Sequence, residues 1–467
     1  MTTNLTLQRA VRVAPRMAWI AAGIVAMLCA PADRLAAAEE PQSPAERGKI
    51  LFEHVWIAKD PLCPNGDGLG PMRNANSCVA CHRLGGVGGA GPKRDNVQLL
   101  TLATPSPISG RPTDKQLAKV NSNFFSPNPR ATVVFHRFGV DDKYDDWRTR
   151  FWGVSDSLSE ERQAVALAAR VRRLGDRSVI KLPGVNGISF LLSERNTPAL
   201  FGANLIDTIS AHVLREVALN QPEQFPGVSG RVARVGKNGV GRFGWRGQVA
   251  SLSEFVVGAC AMELGLETMT QSQMMNPMER ESITHGWDLT KAQCDEMVAY
   301  VASLPRPRQV LPDDPQLVET VRRGDALFHQ VGCTACHMPQ LGEIAGLYSD
   351  LLLHDLGSGL TDPSPAASED QVDGSMFGGY GGGSGLFVEV PRRLKHEWRT
   401  PPLWGVADSA PYLHDGRANT LEQAIRLHEG EARGSVGRFA ELPEESRTAV
   451  LAFLSTLRAP AIEPSGE

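Results

Sequence analysis

The chain has 467 residues, 48 Lys and Arg against 52 Asp and Glu for a net charge of −4, and 42% hydrophobic residues. That length exceeds the usual size of one core, so two domains are expected, with apolar residues enough to fill both. The basic residues are scattered rather than clustered, which argues against a nucleic-acid surface.

In chain order, Arg9, Arg12 and Arg16 precede the apolar run Met17 to Ala30, followed by Ala36-Ala37-Ala38 before Glu39-Glu40. This pattern predicts a cleaved signal peptide over residues 1–38. The run is short for a bilayer span and no later segment approaches one, so a soluble periplasmic protein without a membrane span after signal removal is expected. Cys29 does not read as a lipoprotein site, because Leu28 before it is bulky.

Arg47-Gly48-Lys49-Ile50-Leu51-Phe52 predicts an amphipathic helix that runs into Cys78-Val79-Ala80-Cys81-His82. Arg323-Gly324-Asp325-Ala326-Leu327-Phe328 leads in the same way into Cys333-Thr334-Ala335-Cys336-His337. C-x-x-C-H is the attachment motif for c-type haem. Two cysteines three residues apart lie on one side of a helical turn, where both thiols reach one macrocycle, and the adjacent histidine becomes the iron ligand. Two covalently bound haems c are therefore expected, on Cys78, Cys81 and His82 and on Cys333, Cys336 and His337. A zinc reading would need both cysteine pairs to converge on one metal and leave the histidines idle. A redox dithiol needs no histidine at all. Cys63, Cys260 and Cys294 are left over; two of them could pair in an oxidising compartment, or all three are buried thiols.

Further blocks match in the same order. Glu194-Arg195-Asn196-Thr197-Pro198 answers Glu397-Trp398-Arg399-Thr400-Pro401, and Phe243 to Leu252 answers Tyr412 to Leu421. The expected fold is mainly α: two cytochrome c-like helical haem domains arising from an internal duplication, with long loops and a large insertion in the first. The domains are placed at 39–310 and 311–467, since four prolines interrupt Leu304 to Pro315. Residues 83–190 are the enlargement, with a helical candidate from Glu160 to Leu174 and few strand signals. The Gly-rich run Phe377 to Gly385 reads as a flexible loop, because no strand precedes it and no Lys-Ser/Thr closes it.

With these blocks in view, the sequence resembles the dihaem oxidoreductase family of the bacterial cytochrome c peroxidase superfamily, related to dihaem enzymes that oxidise protein side chains or cleave polyisoprene. The resemblance is carried by both C-x-x-C-H motifs, Arg195 to Gly202, Gly241 to Trp245, and Trp398 to Gly430. It implies His428 as sixth ligand of the C-terminal haem, a position that Leu421 and Ile425 share on one helical stripe; a histidine capping the helix end is the plainer alternative. It implies a distal carboxylate after the tryptophan turn, for which Glu254 is the candidate, although Ser253 stands where the peroxidases carry the first of two glutamates. It implies a displaceable distal histidine, for which His136 is the candidate, with burial between Phe135 and Phe138 as the alternative. Carbonyls of Ser409 and Pro411 would correspond to a calcium site. His414 reads as holding the Asp415-Gly416 turn, while His54, His212 and His285 stand in no motif.

The first copy has Ala259 where the second has His428, so the N-terminal iron is expected to be open. The chain thus reads as a periplasmic dihaem oxidoreductase, peroxidase-like, with a reactive N-terminal haem and an electron-relaying bis-histidine C-terminal haem. Its expected partners are a small redox protein as electron donor and peroxide or dioxygen as oxidant. A non-catalytic dihaem electron carrier and a haem-dependent oxygenase are the alternatives.

Overall fold

The computed structural model describes residues 43–102, 132–139, 143, 144, 146, 148, 172–174, 177–181, 189–236, 239–274, 286–362 and 396–461. The expected signal peptide, Cys29, His285 and the run Phe377 to Gly385 lie outside them, and all described residues fall in the unit Gln42–Glu467.

Ser43 starts α1 (Pro44–Glu53): its hydroxyl accepts from Glu46 N while the Glu46 carboxylate accepts from Ser43 N, a capping box with Pro44 in the first turn. Further along, α2 (Cys78–Cys81) is one turn; α3 (Ala203–Thr208), α4 (Ala211–Gln224) and α5 (Leu252–Glu263) follow. Thr290 and Gln293 form the capping box of α6 (Lys291–Ser303). The remaining described helices are α7 (Pro315–Gln330), α8 (Leu421–Arg426), α9 (Arg433–Glu441) and α10 (Glu444–Leu454). The chain is thus partly helical.

The enlargement departs from the expected helix. Strands β1 (Val97–Leu102), β2 (Thr132–Val134), β3 (Arg172–Leu174), β4 (Arg177–Lys181) and β5 (Ser189–Arg195) form one antiparallel sheet in the order β2-β1-β5-β4-β3. The last three residues of the Glu160–Leu174 helix candidate are strand β3, and the rest lies outside the described residues. Leu99 and Leu100, on the inner strand β1, point to opposite faces and are both buried, so both faces of the sheet are covered there.

Two helix crossings frame the haem motifs, and they are built alike. Helix α1 packs on α6 at Gly48, where an added Cβ would stand 1.9 Å from Glu296 O. Helix α7 packs on α10 at Gly324, where an added Cβ would stand 1.9 Å from Ala449 O. Phe52 meets Tyr300 at 5.1 Å in the first crossing and Phe328 meets Phe453 at 5.5 Å in the second. Arg47 pairs with Glu296, and Arg323 with Glu445.

The matched blocks share backbone conformation as well. Gly202 and Gly405 have φ of 69° and 75°, Gly247 and Gly416 have 61° and 66°, and Gly244 at 81° answers Leu413 at 71°. Leu413 adopts a left-handed conformation that ordinarily favours glycine, so the turn is imposed by its surroundings rather than by the residue. The turns also exchange hydrogen bonds across the halves: Asn196 N donates to His414 O (2.7 Å), and Arg399 N donates to Trp245 O (3.0 Å). Each block is thereby held by the other half's turn. Strands β6 (Leu353–Asp355) and β7 (Glu397–Arg399) pair antiparallel and carry Arg399 to this junction.

Candidate haem-binding sites

Ser77 caps α2 by accepting from Ala80 N, and His82 N donates to Cys78 O (3.0 Å). This single turn sets Cys78 and Cys81 at its two ends and His82 directly after them. His82 Nδ1 lies 3.1 Å from Gly89 O. A carbonyl only accepts, so Nδ1 carries the proton and the lone pair is left on Nε2, the arrangement of a metal-ligating imidazole. Burial pushes its pKa down to about 4, so the ring is neutral at neutral pH.

The second site repeats this chemistry on different scaffolding. Gly332, at φ 85°, turns the chain from α7 into the 3₁₀ turn Cys333–Ala335, and His337 N donates to Cys333 O (2.9 Å). His337 Nδ1 donates to Tyr348 O at 3.0 Å, again leaving Nε2 as the donor atom for a metal. Burial pushes the His337 pKa down to about 4, and His428 nearby adds to the effect.

Helix α8 ends at Arg426, two residues short of His428. The His428 ring bonds back onto it, with Nδ1 donating to Ala424 O at 2.7 Å, so Nε2 is once more the free donor. The ring is therefore neutral, its pKa lowered by burial, and not the charged helix cap of the plainer reading. His337 and His428 line one cavity of about 300 Å³ together with Cys333, Cys336, Leu421 and Ile425. Two imidazoles of fixed tautomer, a cysteine pair on one turn and an apolar rim are the donor set and surface that a c-type haem requires, and the residues present fit that group.

The competing readings fare worse. Burial raises Cys78, Cys81 and Cys333 to about 12, the opposite of the depressed value that makes a dithiol reactive. Among the described residues, the grouping able to hold a metal through side chains is Cys336, Asp350 and His354, not four cysteines. Cys63, Cys260 and Cys294 are buried free thiols; burial raises Cys63 to about 12 and Cys294 to about 11.

Glu254 closes the capping box of α5, its carboxylate accepting from Ser251 N and its own N–H donating to the Ser251 hydroxyl. Phe255, not Glu254, lines the cavity. His136 is fully buried, its Nε2 donating to Met262 O at 2.7 Å while Nδ1 has no hydrogen-bond partner. His54 bonds Asp60 (2.9 Å) beside Trp56, and His212 is exposed beside Glu216. His414 stacks on Trp398 with ring centres 3.7 Å apart, and burial pushes its pKa down to about 3.

Two buried networks escaped sequence reasoning. His354 sits between Asp350 (2.8 Å) and Glu431 (2.8 Å), with Gln221 donating to Asp350 and to Ala335 O beside the second motif. Burial disfavours a charge on His354, but the adjacent Asp350 carboxylate outweighs it and raises the pKa well above the ordinary value. Arg195 grips Asp362 through two hydrogen bonds (2.8 and 2.9 Å) and, with Arg246, lies over the Trp398 ring. Arg195 and Asp362 alone lie 167 residues apart in the chain, so no local motif announces these networks.

Residues 392–457, which include Trp398, Arg399, His414 and His428, match the family described as "Di-haem oxidoreductase, putative peroxidase". Over that segment the chain is similar to this dihaem oxidoreductase family. It is 28% identical over 162 residues to the methylamine utilization protein MauG of Methylorubrum extorquens, covering 33% of this chain and 39% of that one. It is 28% identical over 155 residues to the hydrazine synthase subunit gamma of Kuenenia stuttgartiensis, covering 31% and 42%. The chain thus spans about two fifths of the length of these curated relatives. Among solved structures it is similar to the diheme peroxidase BthA of Burkholderia thailandensis, with 17% identity, a TM-score of 0.31, and coverage of 78% of this chain and 92% of that one.

Proposed function

We propose that the protein is a periplasmic dihaem c-type oxidoreductase with peroxidase-type chemistry at the N-terminal haem and a bis-histidine C-terminal haem that relays electrons. The observation that carries this reading is the contrast between the two helices that follow the matched turns. Seven residues after Leu421 comes His428, its tautomer fixed and facing His337; seven residues after Leu252 comes Ala259, which offers no ligand. When bound, the haems supply one-electron chemistry and, at an open iron, reaction with peroxide or dioxygen.

The chain's own part is positional. Gly89 O and Tyr348 O orient the proximal imidazoles through Nδ1. Ala424 O does the same for His428, which with His337 would hold the second haem between two imidazoles and suit it to passing electrons. The matched turns and crossings support an origin by internal duplication, with haem domains at 39–310 and 311–467. A small redox protein is the electron donor in this reading, peroxide or dioxygen the oxidant, and the Ser409 and Pro411 carbonyls the place for a calcium ion.

A second reading, a non-catalytic electron carrier, draws on Glu254. Its carboxylate is engaged at the start of α5 and Ser253 stands beside it, so an acid-base group for splitting peroxide is not supplied by this segment. Absorption and spin-resonance spectra of the purified protein, before and after one-electron reduction and peroxide addition, separate the two. A five-coordinate high-spin haem that reacts with hydrogen peroxide supports the enzyme; two six-coordinate low-spin haems in both oxidation states support the carrier. His428→Ala is expected to turn the low-spin haem high-spin, and retention of its low-spin signals would remove His428 as ligand.

A further inference from the structure

Arg399 is a buried cation that lines the cavity at the second candidate haem site. Its guanidinium lines the cavity shared by Cys333, His337 and His428, and the residue is 9% exposed. Nε donates to Gly244 O (2.8 Å) and Nη1 makes a long bond to Thr400 O (3.4 Å). Among the described residues no carboxylate forms an ion pair with it. Two other guanidiniums are treated differently: buried Arg195 has Asp362, and half-buried Arg231 has Glu397. Asp350 is the acid whose field reaches Arg399, but its oxygens are taken by His354, Gln221 and Leu352 N.

A buried charge without a counter-ion is costly, and burial already pushes this arginine down to about 10. The geometry points to a missing carboxylate inside the cavity, and a c-type haem brings carboxylates of its own. Resting on the haem reading above, we propose that Arg399 binds a propionate of the haem held by His337 and His428. The first copy has Asn196 at the matching position of its block, an amide bonded to Gly91 O and Asn96. The two haems would therefore differ at this position of the block, Arg399 against Asn196, as well as in axial ligation.

The test compares the full-length wild type with Arg399→Gln and Arg399→Lys by redox titration of the low-spin haem and by resonance Raman of the propionate deformation bands. Haem content, measured first by pyridine haemochrome, decides the underlying reading: a wild type without haem overturns that reading, whatever Arg399 does. With both haems present, Arg399→Gln is expected to shift the reduction equilibrium of the low-spin haem toward the ferric form by roughly tenfold and to move its propionate bands. Arg399→Lys, which keeps the charge but loses the planar fork, is expected to hold the potential nearer wild type while still moving the bands. Should Arg399→Gln fail to fold, unchanged bands in Arg399→Lys would overturn the inference. Haem-replete Arg399→Gln with unchanged potential and unchanged bands would overturn it as well.

Discussion

Gly324 is where α7 and α10 touch backbone to backbone, and replacing it by alanine tests whether that crossing holds the second haem segment. The added Cβ would lie 1.9 Å from Ala449 O, 2.5 Å from Ala449 C and 3.0 Å from Phe453 Cβ. Ordinary contact begins near 3.4 Å, so the helices must part by roughly 1.5 Å, and the obstacle is main chain that no rotamer change can clear. That shift would pull Val321 and Phe328 off Val450, Phe453 and Leu454, all buried in one cluster. Overpacking of this kind costs about 1–3 kcal/mol, and a gap of about 1 Å forfeits up to half of each contact's attraction. Alanine's better helix propensity returns at most ~1 kcal/mol, which leaves a net loss of up to about 2 kcal/mol. Gly437, in α9, has nothing within 4 Å of an added Cβ, so there the propensity gain stands alone. Urea unfolding followed by fluorescence and by the Soret band should show Gly324→Ala destabilised and Gly437→Ala stabilised. Equal or increased stability in Gly324→Ala would refute the close crossing, and Gly48→Ala should behave like Gly324→Ala.

Two other predictions follow from buried groups. Asp362→Asn removes the carboxylate that grips Arg195 in the interior and should cost about 3–5 kcal/mol, read as a drop in unfolding midpoint. Burial works against the Asp362 charge, but Arg195 holds its carboxyl far below the ordinary range. A carboxyl depressed in the native state contributes stability fully present above about pH 4 and lost as pH falls toward its native value. Wild type should therefore lose stability on acidification in that window, while Asp362→Asn lacks this component; parallel acid titrations of the two would contradict the pairing. Cys63, Cys260 and Cys294 should resist iodoacetamide at pH 8 in the native protein, since burial raises each thiol, and all should label once it is denatured. Rapid native labelling, counted by mass spectrometry, would show that these thiols are not enclosed.

Much of the local geometry was legible in the residues themselves. Ser43, Thr290 and Asp314 announce the starts of α1, α6 and α7, and the turn at each Cys-x-x-Cys follows from its spacing. The three matched blocks were visible as text, and their shared φ values show that the text records backbone shape. Glu254 was readable too, because Ser251-x-x-Glu254 ahead of an apolar run is a capping-box pattern, a signal the family resemblance displaced. The sheet was missed because its strands are short and far apart in the chain; Val97–Leu102 and Ser189–Arg195 were the runs long enough to suggest it. The His354 network and the isolation of Arg399 depend on residues that meet only through the tertiary fold, where periodicity has nothing to say.

In the proposed function each C-x-x-C-H turn carries a haem through thioether bonds. Intact-mass and peptide-mass analysis of the protein purified from an exporting host tests it most directly. The prediction is two haem groups per chain, one on the peptide containing Cys78 and Cys81 and one on the peptide containing Cys333 and Cys336. Free thiols on both peptides, or bound zinc in place of iron, would contradict it.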